Sequence, residues 1–305
     1  FCDGDSLSDS LNPTIKFVFG PPGTGKTTHL VKNWINKVAT RPHAKMLILC
    51  PTNKAADVIA KRALETINPK ACSENWLYRF VATADDALEN HVCTRDSNIF
   101  EQPKCCIIST IARFSYDGFS DKKLKEIDWD YIVIDEASMI PLAEIVYPLY
   151  RCPAAQIVIA GDPFQIEPIV NEDRWKDENI YTMVNLNDFS NPKTVPVQFD
   201  ILNLPVQYRA VPSIGRLFSE YAYNGGVSSS REQTSQRKLT MENYDVKSVN
   251  FVMFPVDYFS IFEPHKIGNS PIHIYSALFT FEFVKYVARN IERQKDDKPW
   301  RIGVI

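Results

Sequence analysis

Short apolar runs without polar alternation recur along the first half of the chain. They are TIKFVF ending at Phe19, KMLILC ending at Cys50, KCCIIST ending at Thr110, YIVID ending at Asp135 and AQIVIAG ending at Gly161. Between them apolar residues repeat at helical spacing: Leu30, Val31, Trp34, Ile35 and Val38, then Ala56, Ile59, Ala60, Ala63, Leu64 and Ile67, and later Leu142, Ile145, Val146 and Leu149. A strand that is apolar on both faces needs cover on both faces, and intervening helices supply it. The pattern therefore predicts an α/β domain with a parallel sheet and helices on both sides. Residues 71–104 break the rhythm with Trp76, Tyr78, Arg79 and Phe80 followed by a polar stretch, and read as an insertion.

Residues 171–200 are polar and rich in turn formers, as expected of a connection between domains. A second alternation begins near residue 201. FDILNLPVQYR is its first strand candidate, and Ile214, Leu217, Phe218 and Tyr221 mark a helix that stops at Asn224-Gly225-Gly226. The run GVSSSREQTSQRK reads as a mobile loop. NFVMF, IHIYSA and RIGVI are strand candidates, with a helix through Val284, Val287, Ala288 and Ile291. The expected division is residues 1–200 and 201–305, the second domain being incomplete at its C-terminal end.

Composition narrows the classes. Hydrophobic residues make up 45% and charged residues 23%, which are globular proportions, and no run is long and apolar enough to cross a membrane. A formal net charge of -3 argues against a globally basic nucleic-acid binder, yet leaves room for a local groove. The seven cysteines are odd in number and form no C-x-x-C pair, so neither a disulfide framework nor a zinc ribbon fits; a reducing, cytoplasmic setting is expected.

The strongest chemical signal is Gly20-Pro21-Pro22-Gly23-Thr24-Gly25-Lys26-Thr27-Thr28, which satisfies G-x-x-x-x-G-K-[ST] between a strand and a helix. Glycines let backbone N–H groups wrap phosphates, Lys26 reaches the β- and γ-phosphates, and the Thr27 hydroxyl ligates Mg²⁺. Asp135 and Glu136 end an apolar strand: the first can hold the metal, the second can take a proton from an attacking water. That adjacent pair favours hydrolysis over phosphoryl transfer to a metabolite. Gln165, after Gly161-Asp162-Pro163, can hydrogen-bond both a γ-phosphate oxygen and the water, while Asp162 supports either the metal site or a neighbouring strand. Arg209 can reach a γ-phosphate, a contact worth ~10³–10⁵ in rate, or can make a surface salt bridge; Tyr208 can stack on a base or pack in a core.

The segments GPPGTGKTT, LILCPTNKAAD, IISTIARF, VIDEAS, GDPFQIEP and LPVQYRAVPSI occur in the order found in superfamily 1 helicases. The chain resembles the branch holding the RNA-surveillance (up-frameshift) helicases and their bacterial AAA-domain relatives, best over residues 15–215. The resemblance implies two RecA-like domains with ATP and Mg²⁺ in the cleft between them and single-stranded DNA or RNA across both. It implies phosphate and metal binding by Lys26 and Thr27, metal binding by Asp135, a general base at Glu136, a γ-phosphate sensor at Gln165, adenine packing at Tyr208 and an arginine finger at Arg209. It also implies backbone contacts to the strand from Pro51, Thr52, Asn53, Lys54, Ser109, Thr110 and Arg113. A helix N-cap at Thr52 or Asn53 and a strand-end turn at Thr110 are the competing readings. Phe114, Tyr116 and Phe119 are either base-stacking or core residues. The family's later motifs, including a second arginine finger, do not follow Arg209, so the chain is read as a helicase core lacking the rest of its second domain. Two other functions fit less of the pattern: an ATPase switch without a polymer substrate, and a nucleic-acid or protein scaffold with idle ATPase parts.

Overall fold

The computed structural model describes residues 15–67, 76–80, 83, 85–94, 97–120, 123–170, 175, 178–186, 199–232, 265–268, 270–290 and 303. The chain forms two compact units, Phe1–Arg231 and Glu232–Ile305.

The first unit is built on one sheet. Its strands are β1 (Ile15–Phe19), β2 (Ala44–Cys50), β3 (Leu77–Phe80), β4 (Val92–Cys93), β5 (Lys104–Thr110), β6 (Tyr131–Ile134), β7 (Gln156–Gly161) and β8 (Asp200–Asn203). They lie in the order β4-β3-β5-β2-β6-β7-β1-β8, and every neighbouring pair is parallel. Successive side chains of a strand point to opposite faces, and here both faces are dry. Leu47 and Leu49 join one core with Phe17, Ile132 and Ile134; Met46 and Ile48 join the other with Val18, Val133 and Val158. This two-sided burial is the reason the strands read as unbroken apolar runs.

Helices connect the strands as expected. After β1 come α1 (Lys26–Leu30), a π-helical turn Val31–Ile35 and a further helical segment Asn36–Thr40. Helix α2 (Asn53–Thr66) buries Ala56, Ile59, Ala60 and Ala63 against the sheet. Helices α3 (Ile111–Ser120) and α4 (Leu142–Arg151) follow β5 and β6. Parallel strands place all their C-terminal ends along one edge, where the loops after β1, β2, β6 and β7 gather.

Several sequence expectations change. Residues 71–104 contain β3, a full member of the sheet that pairs with β5 and β4. Its run is short and carries Arg79, which hides it from an apolar-run search. Arg79 is 1% exposed and held at every side: Nε donates to Asp57 Oδ1 at 2.8 Å, Nη2 to Asn53 Oδ1 at 2.7 Å, and Nη1 to the carbonyls of Phe80 and Ile108 at 3.0 and 3.2 Å. The ion pair thus pins the first turn of α2 to two strands. FDILNLPVQYR divides between β8, at the edge of the main sheet, and β9 (Val206–Gln207), which pairs with β10 (Ser228–Ser229). The compact units accordingly divide after Arg231, later than the 200/201 boundary read from the sequence, because β8 and α5 (Pro212–Ala222) belong with the first sheet. In the second unit β11 (His265–Ile267) and β12 (Ser270–Ile272) form an antiparallel hairpin, and α6 spans Ile274–Asn290. Most of IHIYSA is therefore helical rather than extended. NFVMF, nearly all of RIGVI and most of the presumed loop after Arg231 lie outside the described residues. No helix among the described residues is long and apolar enough to cross a membrane.

Cys50, Cys93, Cys105, Cys106 and Cys152 are buried free thiols. Burial pushes Cys105 up to about 11 and Cys93 to about 12, and Cys50 and Cys106 well above the ordinary thiol value. Alkylation at pH 8 read by peptide mass spectrometry is expected to leave these four unmodified in the native protein and to modify them in urea; native labelling of Cys50 or Cys106 would contradict their placement. Arg79→Ala strands the Asp57 carboxylate beside a cavity and is expected to lower unfolding free energy by about 3–5 kcal/mol, measured by urea denaturation.

Candidate functional site

β1 ends at Phe19, and the chain turns through a glycine-rich loop into α1. Gly20 N–H donates to the carbonyl of Gly161 at 3.1 Å, joining the loop to the end of β7. Thr24 closes the turn by donating its hydroxyl to the carbonyl of Pro21 at 2.8 Å. Gly23 and Gly25 have φ of 78° and 85°, the left-handed region that side chains disfavour. Gly25 is the N-cap of α1, and no side chain caps that end, which leaves its first-turn N–H groups available to a ligand.

Across the loop stands the end of β6. Lys26 Nζ meets Glu136 Oε2 at 2.9 Å, with the lysine largely buried. Glu136 itself adopts φ 52°, an uncommon conformation for a side-chain-bearing residue. Asp135 is 3% exposed and its Oδ1 has no hydrogen-bond partner. Burial pushes its carboxyl up to about 6; the neighbouring Lys26 ammonium pulls it back and the Glu136 charge pushes it further. A buried carboxylate oxygen without a partner is costly unless a cation or water meets it. Together with the hydroxyl of Thr27 it offers the hard oxygen donors that suit Mg²⁺.

The loop after β7 supplies Gln165. Its Nε2 donates to Asp162 Oδ2 at 2.9 Å, and its backbone N–H to the Asp162 carbonyl at 3.1 Å. The segment after β8 brings Tyr208 and Arg209. Gln207 is fully buried, and its side chain holds both the N–H and the carbonyl of Ala210, so the turn carrying Tyr208 and Arg209 is fixed. Tyr208 N–H donates to the carbonyl of Gly23 at 2.9 Å, and a Cβ placed on Gly23 would lie 2.6 Å from Arg209 Cβ. The Tyr208 ring itself is 60% exposed.

These parts enclose one cavity of 320 Å³. Residues 21–28 line it with Glu136, Gln165, Tyr208 and Arg209, and Val58 and Arg62 of α2 complete the wall. Asp135, next to Glu136 in the chain, is buried and does not line the cavity. Val58 and Arg62 escaped the sequence reading; their signal is a spacing of four on the α2 face opposite Ala56, Ala60 and Ala63. Two tyrosines also escaped it. Tyr223 Oη donates to Asp162 Oδ2 at 2.5 Å. Tyr181 is buried, and burial with the charges of Asp162, Glu136 and Asp135 pushes its hydroxyl well above the ordinary value. Neither tyrosine sits in a recognisable motif.

The residues expected to touch a strand backbone separate into two groups. Thr52, Asn53 and Lys54 are exposed at the start of α2, with Pro51, Thr110 and Arg113 half-buried. Thr52 Oγ1 accepts from Ala55 N–H at 3.1 Å, so the N-cap reading holds for it, and Asn53 Oδ1 accepts from Arg79 Nη2. Ser109 is a correction: it is 1% exposed within β5, out of reach of a ligand on the surface. Both faces of β5 are covered, so Cys105 to Ser109 are all buried and Thr110, at the strand end, is partly exposed. Phe114 is fully buried and belongs to the core; the side chains of Tyr116 and Phe119 lie outside the described residues.

A glycine loop between a parallel strand and a helix, faced by an acidic pair at a neighbouring strand end, defines a P-loop nucleotide-binding domain. The AAA domain family model matches residues 5–171, more than half of the chain, and the chain belongs to that family. Its relatives bear out the resemblance to superfamily 1 helicases. It is 30% identical over 169 residues to the RNA helicase Mov10l1 of Mus musculus, covering 54% of this chain and 14% of that protein. It is 28% identical over 235 residues to the DNA replication ATP-dependent helicase/nuclease dna2 of Schizosaccharomyces pombe, covering 73% and 15%. It is 23% identical over 336 residues to the Regulator of nonsense transcripts 1 homolog of Neurospora crassa, covering 98% and 29%. The chain thus spans less than a third of the length of these relatives.

Gly23 and Gly25 separate two costs. A side chain at Gly25 meets nothing within 4 Å and incurs only the left-handed backbone, about 1–2 kcal/mol. Gly23→Ala adds the collision with Arg209. Urea unfolding without nucleotide is expected to show a larger loss for Gly23→Ala than for Gly25→Ala; equal losses would contradict the seating of Arg209 on the loop.

Proposed function

We propose that this chain is the core of an ATP-driven motor acting on single-stranded nucleic acid, moving along it or unwinding its paired form. The observation that carries the reading is the convergence of Lys26, Thr27, Glu136, Gln165, Tyr208 and Arg209, spread over most of the first unit, around one cavity of 320 Å³.

In this reading residues 20–28 wrap the phosphates through backbone N–H groups, and Lys26 leaves Glu136 to meet the β- and γ-phosphates. Asp135 and Thr27 would hold Mg²⁺, which would supply a Lewis acid and neutralise phosphate charge. Glu136, released from Lys26, accepts a proton from the attacking water. Gln165 orients that water, and Arg209 meets the charge developing on the γ-phosphoryl oxygens. The Tyr208 ring, exposed at the mouth, packs on the base. Binding and release of the γ-phosphate change the hold on the 206–210 segment, which already touches the loop through Gly23, and a second RecA-like domain beyond it would move with that segment.

The nucleic-acid part rests on the relatives, whose names include both an RNA helicase and a DNA replication helicase. It is supported by the exposed polar cluster Thr52, Asn53 and Lys54, with Pro51, Thr110 and Arg113 beside it at the ends of β2 and β5. Hydroxyl, amide and cationic groups of this kind suit phosphate contacts that carry no sequence information.

Glu136→Gln is expected to keep Mg-nucleotide binding and to slow hydrolysis by about 10²–10⁴, read by equilibrium binding and single-turnover hydrolysis; wild-type hydrolysis in that variant would remove Glu136 from the base role. Single-stranded DNA or RNA added to the wild-type chain is expected to raise steady-state ATP turnover. No effect of either strand on turnover or on nucleotide affinity would favour a switch without a polymer substrate.

A further inference from the structure

We propose that Tyr223 is a positioning residue for nucleotide hydrolysis, fixing Gln165 through a shared oxygen of Asp162. The inference rests on the assignment of Gln165 as the group that orients the attacking water.

Asp162 is fully buried at the end of β7. Its Oδ1 accepts the Phe164 N–H at 3.1 Å, and its Oδ2 accepts both Gln165 Nε2 at 2.9 Å and Tyr223 Oη at 2.5 Å. An ionised carboxylate only accepts hydrogen bonds. The amide of Gln165 must therefore turn its NH₂ toward Asp162, and the tyrosine must donate. This fixes which end of the amide is free. The Gln165 carbonyl oxygen and its second amide hydrogen remain for the cavity, so one side chain can accept from water and donate to a phosphate oxygen.

Tyr223 keeps that arrangement in place. It follows α5 and is 4% exposed. Its ring packs edge-on against Phe164 and Phe218 at centroid distances of 5.6 and 6.2 Å, and tilted against Phe19 at 6.4 Å. Burial, with the Asp162 hydrogen bond and charge added, raises its hydroxyl far above the ordinary phenol value, so it stays a donor throughout the working pH range. Removing the donor leaves Asp162 Oδ2 with Gln165 Nε2 as its one remaining partner and the carboxylate held only from Oδ1 by the Phe164 N–H, so the orientation it gives the Gln165 amide is less fixed. Misplacement of a reacting group by about 1 Å costs about a hundredfold in rate.

The geometry also gives the contact a direction. Tyr223 and the Tyr208–Arg209 turn belong to one stretch, joined by β9, α5 and β10, while Gln165 belongs to the β7 loop. A movement of that stretch would reach the water-orienting amide through Asp162 as well as the phosphates through Arg209.

Tyr223→Phe keeps the ring and removes only the hydroxyl, and is tested on the full chain. Single-turnover hydrolysis of Mg-ATP is expected to slow by about tenfold to a hundredfold, with affinity for Mg-ADP unchanged. The double variant Tyr223→Phe/Gln165→Ala is expected to be no slower than Gln165→Ala alone, because both act through one group. The side-chain amide resonance of Gln165, identified by its loss in Gln165→Ala, is expected to shift in Tyr223→Phe. An unshifted resonance overturns the proposal whatever the rates. So does unchanged hydrolysis, or a double variant slower than Gln165→Ala by the full Tyr223→Phe factor, which would mark Tyr223 as structural only. If Gln165→Ala itself hydrolyses at the wild-type rate, the assignment of Gln165 as water-orienting fails instead, and the amide resonance still decides whether Tyr223 fixes its orientation.

Discussion

The ion pair between Lys26 and Glu136, 2.9 Å long and set between the glycine loop and the end of β6, is the contact on which the site depends. An ammonium this far from water needs an anion. Without a ligand that anion is Glu136; a triphosphate offers a denser alternative. In the proposed reading, that exchange would free the Glu136 carboxylate beside the bound phosphates. The pair can form because β1 and β6 flank β7 in a parallel sheet, so both C-terminal ends emerge on the same edge. The backbone bond from Gly20 to Gly161 holds the loop to the same edge.

Much of this was legible from residue types. Strands buried on both faces write themselves as apolar runs, and β1, β2, β5, β6 and β7 were read that way. The phosphate loop and the acidic pair are local: each is set by a few consecutive residues, and the backbone does the rest. The less legible parts depend on partners distant in the chain. β3 is four residues with an arginine in its middle, and that arginine is tolerated only because Asp57, Asn53 and two carbonyls wait for it. Ser109 looks like a strand-end hydroxyl, but β5 runs on to Thr110 and is covered on both faces, so Ser109 is buried. The division after Arg231 was missed because β8 pairs with β1, across nearly two hundred residues of sequence, and no local pattern announces that pairing.

The segment from β8 to β10 has two kinds of hold on the first sheet. Near the cavity, Tyr208 and Arg209 rest on Gly23 by a backbone bond and a side-chain contact. At the far end of α5, Tyr223 reaches Asp162 under the Gln165 loop. Gln207 and Ser219 tie the segment to itself: the amide of Gln207 bridges Ala210 and Ser229, and the Ser219 hydroxyl bridges both backbone groups of Val227. The segment thus meets the cavity directly at Tyr208 and Arg209, and the Gln165 loop indirectly through Asp162.

Hydrogen–deuterium exchange of the full chain, compared without nucleotide and with a Mg-bound non-hydrolysable ATP analogue, tests this convergence most directly. Slowed exchange is expected in residues 20–28, 135–138, 162–167 and 206–210 together, as four segments that would meet one ligand. Slowed exchange confined to residues 20–28, with 206–210 unchanged, would contradict it.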